Sequence, residues 1–150
     1  VLAVVFDPYV DKLYIADEKN VTCNNQPIQC NTTPLNQDSQ IYIGLCANQS
    51  VDFNLYEVAR RLSNDYAVKF ISLRSAIYMD VLVASGKLSA NLSFGGHGYD
   101  CIGGHIVKMA GGQYSDLSGE AINLLGENQG YFSSNGIIHA PILEIIKSCK

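Results

Sequence analysis

The sequence predicts an α/β fold, in which a layered mixed β-sheet is flanked by helices. Three observations predict it. Short apolar and β-branched runs alternate along the chain with segments of helical periodicity. Capping residues and glycines mark where the helices start and stop. None of the polar linkers is long enough to divide the 150 residues into two domains, and strands that alternate with helices build a sheet with helices on its faces.

Composition narrows the classes of function. The chain is 47% hydrophobic and 16% charged, which is the balance of a globular domain. Its formal net charge is −4 and it contains no basic cluster, so we expect no nucleic-acid partner. No apolar run approaches the roughly 20 residues of a membrane span, so we expect no membrane partner.

The cysteine pattern is typical of free thiols. The five cysteines are an odd number and form no C-x-x-C pair, which does not fit a zinc site. Reduced thiols are the rule in a reducing compartment, so we predict a cytoplasmic protein.

The chain opens on a predicted hairpin. Residues 1–6 are a β-branched run, Asp7 and Pro8 mark a turn, and residues 12–17 alternate like the returning strand. No start Met and no turn precede the first strand, so we interpret the chain as a part of a longer protein.

Strands and a helix follow a polar linker at residues 31–40. Strands are predicted at residues 41–46 and 67–73, and Ser50 is predicted to cap the helix between them. The apolar face of that helix is expected at Val51, Leu55, Val58, Ala59 and Leu62. The charged residues off that face are interpreted as solvated surface: Glu57, Arg60 and Arg61.

The second half has the same alternation. Ser75 is predicted to cap a second helix, and Gly86 is predicted to end it. Further strands are predicted at residues 88–93, 113–117 and 136–140. Pro141 is expected as the first residue of the closing helix.

The most informative stretch is the glycine-rich segment at residues 95–112. It predicts a turn with Asp100 as the cap of a short apolar helix. Gly103 and Gly104 cost that helix about 1 kcal/mol each relative to alanine, which fits a helix start that packs closely against a strand or a bound group. Asp100 has two interpretations: an ordinary cap, or a carboxylate that binds a hard cation such as Mg²⁺. A capping carboxylate keeps free lone pairs, so the two are compatible.

Other catalytic patterns are sparse. The three histidines share no spacing, and only His97, in the glycine turn, is a candidate for function. There is no G-x-S-x-G nucleophile motif and no G-K-[ST] phosphate loop.

Several segments resemble the inositol monophosphatase family. Y-D-C-I-G-G-H-I-V-K-M-A-G-G, from Tyr99, is similar to its C-terminal signature, and S-A-I-Y-M-D-V-L-V-A-S-G, from Ser75, is similar to its G-S-A-A-L-D-L-x-Y-V-A-x-G helix. V-V-F-D-P-Y-V-D-K-L-Y-I-A and the C-N-N-Q-P-I turn, in which Asn25 replaces a glycine, resemble its hairpin. The resemblance covers nearly the whole chain in the right order.

The resemblance implies a set of site residues. Asp100 matches a metal ligand of the family, which implies Mg²⁺ as the cofactor. Ser75 and Ala76 match positions that line the sugar or inositol pocket. Arg74 stands where the family has glycine, and is either a surface charge or a contact to a substrate phosphate. Ser93 stands where inositol-using members carry a glutamate, which puts a preference for inositol in doubt.

The resemblance also implies what the chain is a part of. The family's Gly-Glu-Glu and D-P-x-D-G-T motifs have no counterpart here, so residues 1–150 are interpreted as its C-terminal domain without the N-terminal metal-binding domain. The parent is expected to be a Mg²⁺-dependent phosphatase of the inositol monophosphatase or fructose-1,6-bisphosphatase type. Its expected partners are a small phosphorylated polyol or sugar and a second copy in a homodimer. The fragment alone is expected to be inactive. The alternative is a non-enzymatic interaction module.

Overall fold

The computed structural model describes residues 1–47, 55–125 and 127–149. The predicted cap Ser50 and the predicted helix position Val51 lie outside these residues. The strands are β1 (Ala3–Asp7), β2 (Lys12–Ala16), β3 (Val21–Cys23), β4 (Gln26–Pro27), β5 (Tyr42–Ala47), β6 (Lys69–Ile71), β7 (Ala90–His97), β8 (Gln113–Asp116) and β9 (Glu127–Ser134). The helices are α1 (Leu55–Tyr66), α2 (Ala76–Ala84), α3 (Gly103–Met109) and α4 (His139–Lys147), and a 3-10 turn at Gly98–Cys101 precedes α3.

These elements form four layers. A four-stranded antiparallel sheet has the order β1-β2-β3-β4, and a mixed five-stranded sheet has the order β6-β5-β7-β9-β8. One core lies where α2 and α3 pack between the two sheets, and a second core lies where α1 and α4 cover the other face of the five-stranded sheet. The predicted α/β class, a mixed sheet flanked by helices, is confirmed. The separation of the first hairpin into a sheet of its own was not predicted.

The connections around β5 create a switch point at the carboxyl edge of the large sheet, and we refer to the space outside this edge as the crevice. Both β6 and β7 run parallel to β5, one on each side of it. Helix α1 leads from β5 to β6 over one face, and α2 leads from β6 to β7 over the other. The helices that follow β5 and β6 therefore cover opposite faces of the sheet. In open α/β sheets, ligands bind at such a switch point, outside the carboxyl ends of the strands.

The predicted helix boundaries at α2 are confirmed. The Ser75 hydroxyl accepts a hydrogen bond from the Tyr78 backbone N–H at 3.3 Å, which is the predicted cap. At the other end, the Gly86 N–H bonds the Val83 carbonyl at 2.9 Å.

The structure corrects the prediction for Arg61 in helix α1. Val58 and Leu62 are buried on its predicted apolar face, and Glu57 and Arg60 form an exposed ion pair at 2.7 Å. Arg61 is not simply solvated, because its guanidinium donates to the Ser148 hydroxyl at the end of α4. The Arg61 side chain therefore links α1 to the end of α4, and these two helices cover one face of the five-stranded sheet.

The strand predicted at residues 136–140 is wrong. The last strand is β9, at Glu127–Ser134, and it lies between β7 and β8. The Asn135 side chain accepts a hydrogen bond from the Ile138 N–H at 3.2 Å, and this turn starts α4 at His139. Pro141 is therefore the third residue of α4, and not the first.

Candidate active site

The residues predicted for the site lie in the segments that follow the parallel strands. Arg74 and Ser75 lie between β6 and α2, Ala76 begins α2, and Asp100 lies in the 3-10 turn that follows β7. The segment that follows β5, residues 48–54, is outside the described part of the chain. The topology thus brings the predicted residues to the crevice at the carboxyl edge of the sheet.

The start of α2 presents a hydroxyl beside a buried backbone. Ser75 is exposed, and its Oγ is oriented by the bond that it accepts from the Tyr78 N–H. Ala76 is buried, and its carbonyl accepts a hydrogen bond from Asn91 Nδ2 at 3.2 Å. Ser75 can therefore reach a ligand with its side chain, whereas Ala76 can contribute little beyond its backbone.

Arg74 has an unusual backbone conformation. Its φ is +56°, in the left-handed region, and its side chain is exposed. That conformation costs an ordinary residue about 1–2 kcal/mol and is found where the surrounding structure imposes it. The resemblance to a family that has glycine at this position agrees with the backbone, and an exposed arginine here can point into the crevice.

The buried thiol of Cys46 is affected by several of these residues, and the sequence did not reveal it. Cys46 lies near the end of β5 and is 2% exposed. Its pKa is raised by burial and by the carboxylates of Asp100 and Asp80, whereas the Arg74 guanidinium and a hydrogen bond from the Ala76 backbone lower it. The Ala76 backbone therefore bonds this sulfur, and the charges of Arg74 and Asp100 both act on it. The only sequence signal was that Cys46 ends a predicted strand.

Asp100 does not cap α3 as predicted. The cap residue is Ile102, which makes no side-chain capping bond, and Asp100 lies two residues earlier, in the 3-10 turn. Its side chain is half-buried, between the exposed Tyr99 and the buried Cys101. The carboxylate therefore lies in the turn that follows the carboxyl end of β7.

Glycines hold this turn at both ends. A Cβ on Gly98 would lie 2.0 Å from the carbonyl oxygen of Leu124, and a Cβ on Gly103 would lie 2.5 Å from Oδ2 of Asp80. Neither position has room for a side chain. The expectation that Gly103 and Gly104 let the start of α3 pack closely against a strand is met at Gly104, where a Cβ would lie 2.5 Å from the Tyr114 ring of β8, whereas Gly103 packs against helix α2.

Asp80 is the second residue that sequence reasoning missed. It lies in α2, is fully buried, and accepts hydrogen bonds from Asn91 Nδ2 at 2.8 Å, Ser133 Oγ at 2.6 Å and the Tyr131 hydroxyl at 2.6 Å. Burial raises its pKa to about 6, and the bonds from Ser133, Tyr131 and Asn91 limit the rise. A carboxylate enclosed in this way cannot bind a ligand directly.

The histidines divide into separate environments. The side chain of His97 lies outside the described residues. His139 is buried, with Nδ1 2.9 Å from Ser134 Oγ and Nε2 3.1 Å from Ser115 Oγ, and burial lowers its pKa to about 4. It starts α4, on the opposite face of the sheet from α2.

The donors present fit a part of a Mg²⁺ site. Asp100 supplies a hard carboxylate oxygen, the ligand type that Mg²⁺ prefers. Among residues 1–47, 55–125 and 127–149, no three His, Cys, Asp or Glu side chains are grouped so that they could hold a metal ion. Asp100 is therefore suited to be one ligand among several. All five cysteines are reduced thiols, as predicted.

The chain belongs to the inositol monophosphatase family, whose model matches residues 1–150. Solved structures of similar fold include the inositol monophosphatase of Anabaena (Nostoc) sp. PCC 7120, at 20% identity and a TM-score of 0.83, with 99% of this chain and 59% of that chain covered. Staphylococcal IMPase-II is similar at 25% identity and a TM-score of 0.81, with 98% of this chain and 57% of that chain covered. The chain thus spans less than two-thirds of the length of these structures. No curated protein matches it.

No helix in the described part of the chain is long and apolar enough to cross a membrane.

Proposed function

We propose that the chain is the C-terminal domain of a Mg²⁺-dependent phosphatase that hydrolyses phosphate monoesters of small sugars or inositol. The observation that carries the proposal is the position of Asp100, a half-buried acid in the 3-10 turn that follows β7 at the switch point of the sheet. Membership of the inositol monophosphatase family supports it.

Two similar structures support the proposed ligands. One, at 20% identity, is described as IMPase/NADP phosphatase complexed with Mg²⁺ and phosphate, and another, at 25% identity, as inositol monophosphate bound SaIMPase-II. For this chain we infer Mg²⁺ at Asp100 and a phosphorylated polyol or sugar near Ser75 and Ala76. A bound Mg²⁺ would lower the pKa of a water and neutralise charge on the phosphate.

Three residues of the candidate site, Asp100, Ser75 and Arg74, have proposed roles. Asp100 holds the metal, and the α2 start orients the Ser75 hydroxyl toward a substrate hydroxyl. Arg74 contacts a phosphate oxygen, since a guanidinium binds phosphate through paired N–H groups. Ser93 is 1% exposed and carries no carboxylate for the hydroxyls of inositol, so this position does not support a preference for inositol over a small sugar phosphate.

Localisation, oligomeric state and partners are proposed on the same basis. We propose a cytoplasmic homodimer that binds neither nucleic acid nor membranes. The 150-residue chain alone should show no phosphatase activity, since Mg²⁺ sites at phosphates need more ligands than one carboxylate.

The test is Asp100→Asn in the full natural protein. A metal supplies several kcal/mol of transition-state stabilisation, so kcat/KM for a sugar phosphate should fall about a hundredfold or more. Asp38→Asn, which neutralises an exposed acid in the polar linker, is the matched control and should leave the rate unchanged. Full activity in Asp100→Asn would refute the proposed role of Asp100. A natural protein with no Mg²⁺-dependent activity at all would favour the interaction module instead.

A further inference from the structure

Asp80 is a buried charge that the proposed chemistry does not use. Its carboxylate is fully buried and accepts hydrogen bonds from β7, through Asn91, and from β9, through Ser133 and Tyr131. Burying a carboxylate is costly even when it is hydrogen-bonded, and apolar residues of similar volume often hold a core together as well or better. Packing alone therefore does not require an acid here.

The carboxylate supports the turn that carries Asp100. Its Oδ2 lies against Gly103, at a point where a Cβ would come within 2.5 Å of it. The other end of the turn is fixed by Gly98 against the Leu124 backbone. Asp100 lies along the chain between these two points of close packing.

We propose that Asp80 is a positioning residue for Asp100. Its hydrogen-bonded carboxylate fixes the start of α3, and the start of α3 fixes the direction in which the Asp100 carboxylate is presented to Mg²⁺. Tyr131 and Ser133 hold the Asp80 carboxylate in place from β9. This inference rests on the proposed function, because it takes Asp100 as a metal ligand.

The experiment measures Mg²⁺ binding to the full natural protein by titration calorimetry, with kcat and KM for a sugar phosphate as a second readout. Supporting groups around metal ligands are typically worth 10–100-fold in affinity, so Asp80→Asn should weaken Mg²⁺ binding about tenfold or more. KM measured at saturating Mg²⁺ should not change. Tyr131→Phe removes a single donor and keeps the ring, so it should weaken binding in the same direction by a smaller factor.

Ile142→Ala is the matched control, because it damages the core on the opposite face of the five-stranded sheet. It should lower stability and leave Mg²⁺ affinity unchanged. All variants are compared at a temperature at which circular dichroism shows them folded.

Two outcomes would overturn the inference: wild-type Mg²⁺ affinity in both Asp80→Asn and Tyr131→Phe, or an equal loss of affinity in Ile142→Ala. If Asp100→Asn itself leaves Mg²⁺ affinity unchanged, the proposed function fails as well. The two failures are therefore distinguishable.

Discussion

Asp100 owes its position to residues that cannot bind a metal. The glycines on either side let the backbone pass within contact of Leu124 and Asp80, and a side chain at either glycine would push the turn away. Each glycine in or near a helix has a cost in conformational entropy. Here that cost accompanies the close packing of the turn that carries Asp100.

Gly103→Ala tests this interpretation. Helix propensity alone predicts a stabilisation of about 1 kcal/mol, because Gly103 is the first residue of α3. The missing space beside Asp80 predicts the opposite, since overpacking a core costs about 1–3 kcal/mol. We expect net destabilisation, measured as the free energy of unfolding in urea.

Gly111→Ala is the control for that prediction. No heavy atom lies within 4 Å of a Cβ built there, but its φ is +86°. It should cost about 1–2 kcal/mol from the left-handed backbone alone. A stabilised Gly103→Ala variant would show that the start of α3 is not closely packed.

The elements that could be predicted are those with local signals. Helix α2 was predicted because its cap at Ser75 and its end at Gly86 lie within one short segment. Strand β9 was not, because its sequence is rich in Asn, Gly and Ser, and it becomes a strand by pairing with β7 on one side and β8 on the other. Tertiary pairing overrides a weak local preference.

The same distinction applies to the candidate site. The positions of Arg74, Ser75, Ala76 and Asp100 came from a resemblance of local motifs, and their roles stay predictions. Asp80 and Cys46 were not found, because their relation to Asp100 depends on contacts among α2, β5 and the turn after β7. No spacing along the chain reports such contacts.

The turn between β3 and β4 gives a prediction with an internal control. Asn24 and Asn25 both have positive φ, at 49° and 62°, as a two-residue hairpin of the I′ type requires. Asn25 is exposed, so Asn25→Gly should stabilise the protein by about 0.5–1 kcal/mol by relieving the left-handed backbone. The measurement is the midpoint of urea unfolding.

Asn24→Gly should have the opposite effect. The Asn24 side chain accepts from the Leu13 N–H at 2.7 Å and donates to the Asp11 carbonyl at 2.8 Å. Losing two hydrogen bonds of about 1 kcal/mol each outweighs the relief of backbone strain. If both substitutions stabilise, the Asn24 bonds contribute nothing measurable.

Among the described residues, each of the two cores lies beside a buried group that titrates in the acid range. Asp80 lies in the core between the two sheets, and His139 starts the helix on the far face of the five-stranded sheet, where its ring stacks on Phe132 with centroids 4.6 Å apart. Burial shifts their pKa values in opposite directions, to about 6 for Asp80 and about 4 for His139. Each group therefore links folding to pH with a different sign.

The signs follow from which state binds more protons. The pKa of Asp80 is raised in the folded state, from 3.8 to about 6, so its contribution to stability is present at low pH and is lost as the pH rises through 6. The pKa of His139 is lowered from 6.5 to about 4, so its contribution is present above pH 6.5 and is lost as the pH falls toward 4. Each shift corresponds to about 3 kcal/mol, and between pH 4 and 6 the two nearly cancel.

Removing one group should therefore expose the other. In Asp80→Asn, the free energy of unfolding should fall relative to the wild type as the pH is lowered from 6 to 4, by about 3 kcal/mol, because only His139 still titrates there. In His139→Gln it should rise relative to the wild type over the same range, by a similar amount. The measurement is urea unfolding at closely spaced pH values, with each variant subtracted from the wild type so that the exposed acids cancel. Parallel curves for the wild type and both variants would mean that neither group titrates differently in the folded and unfolded states.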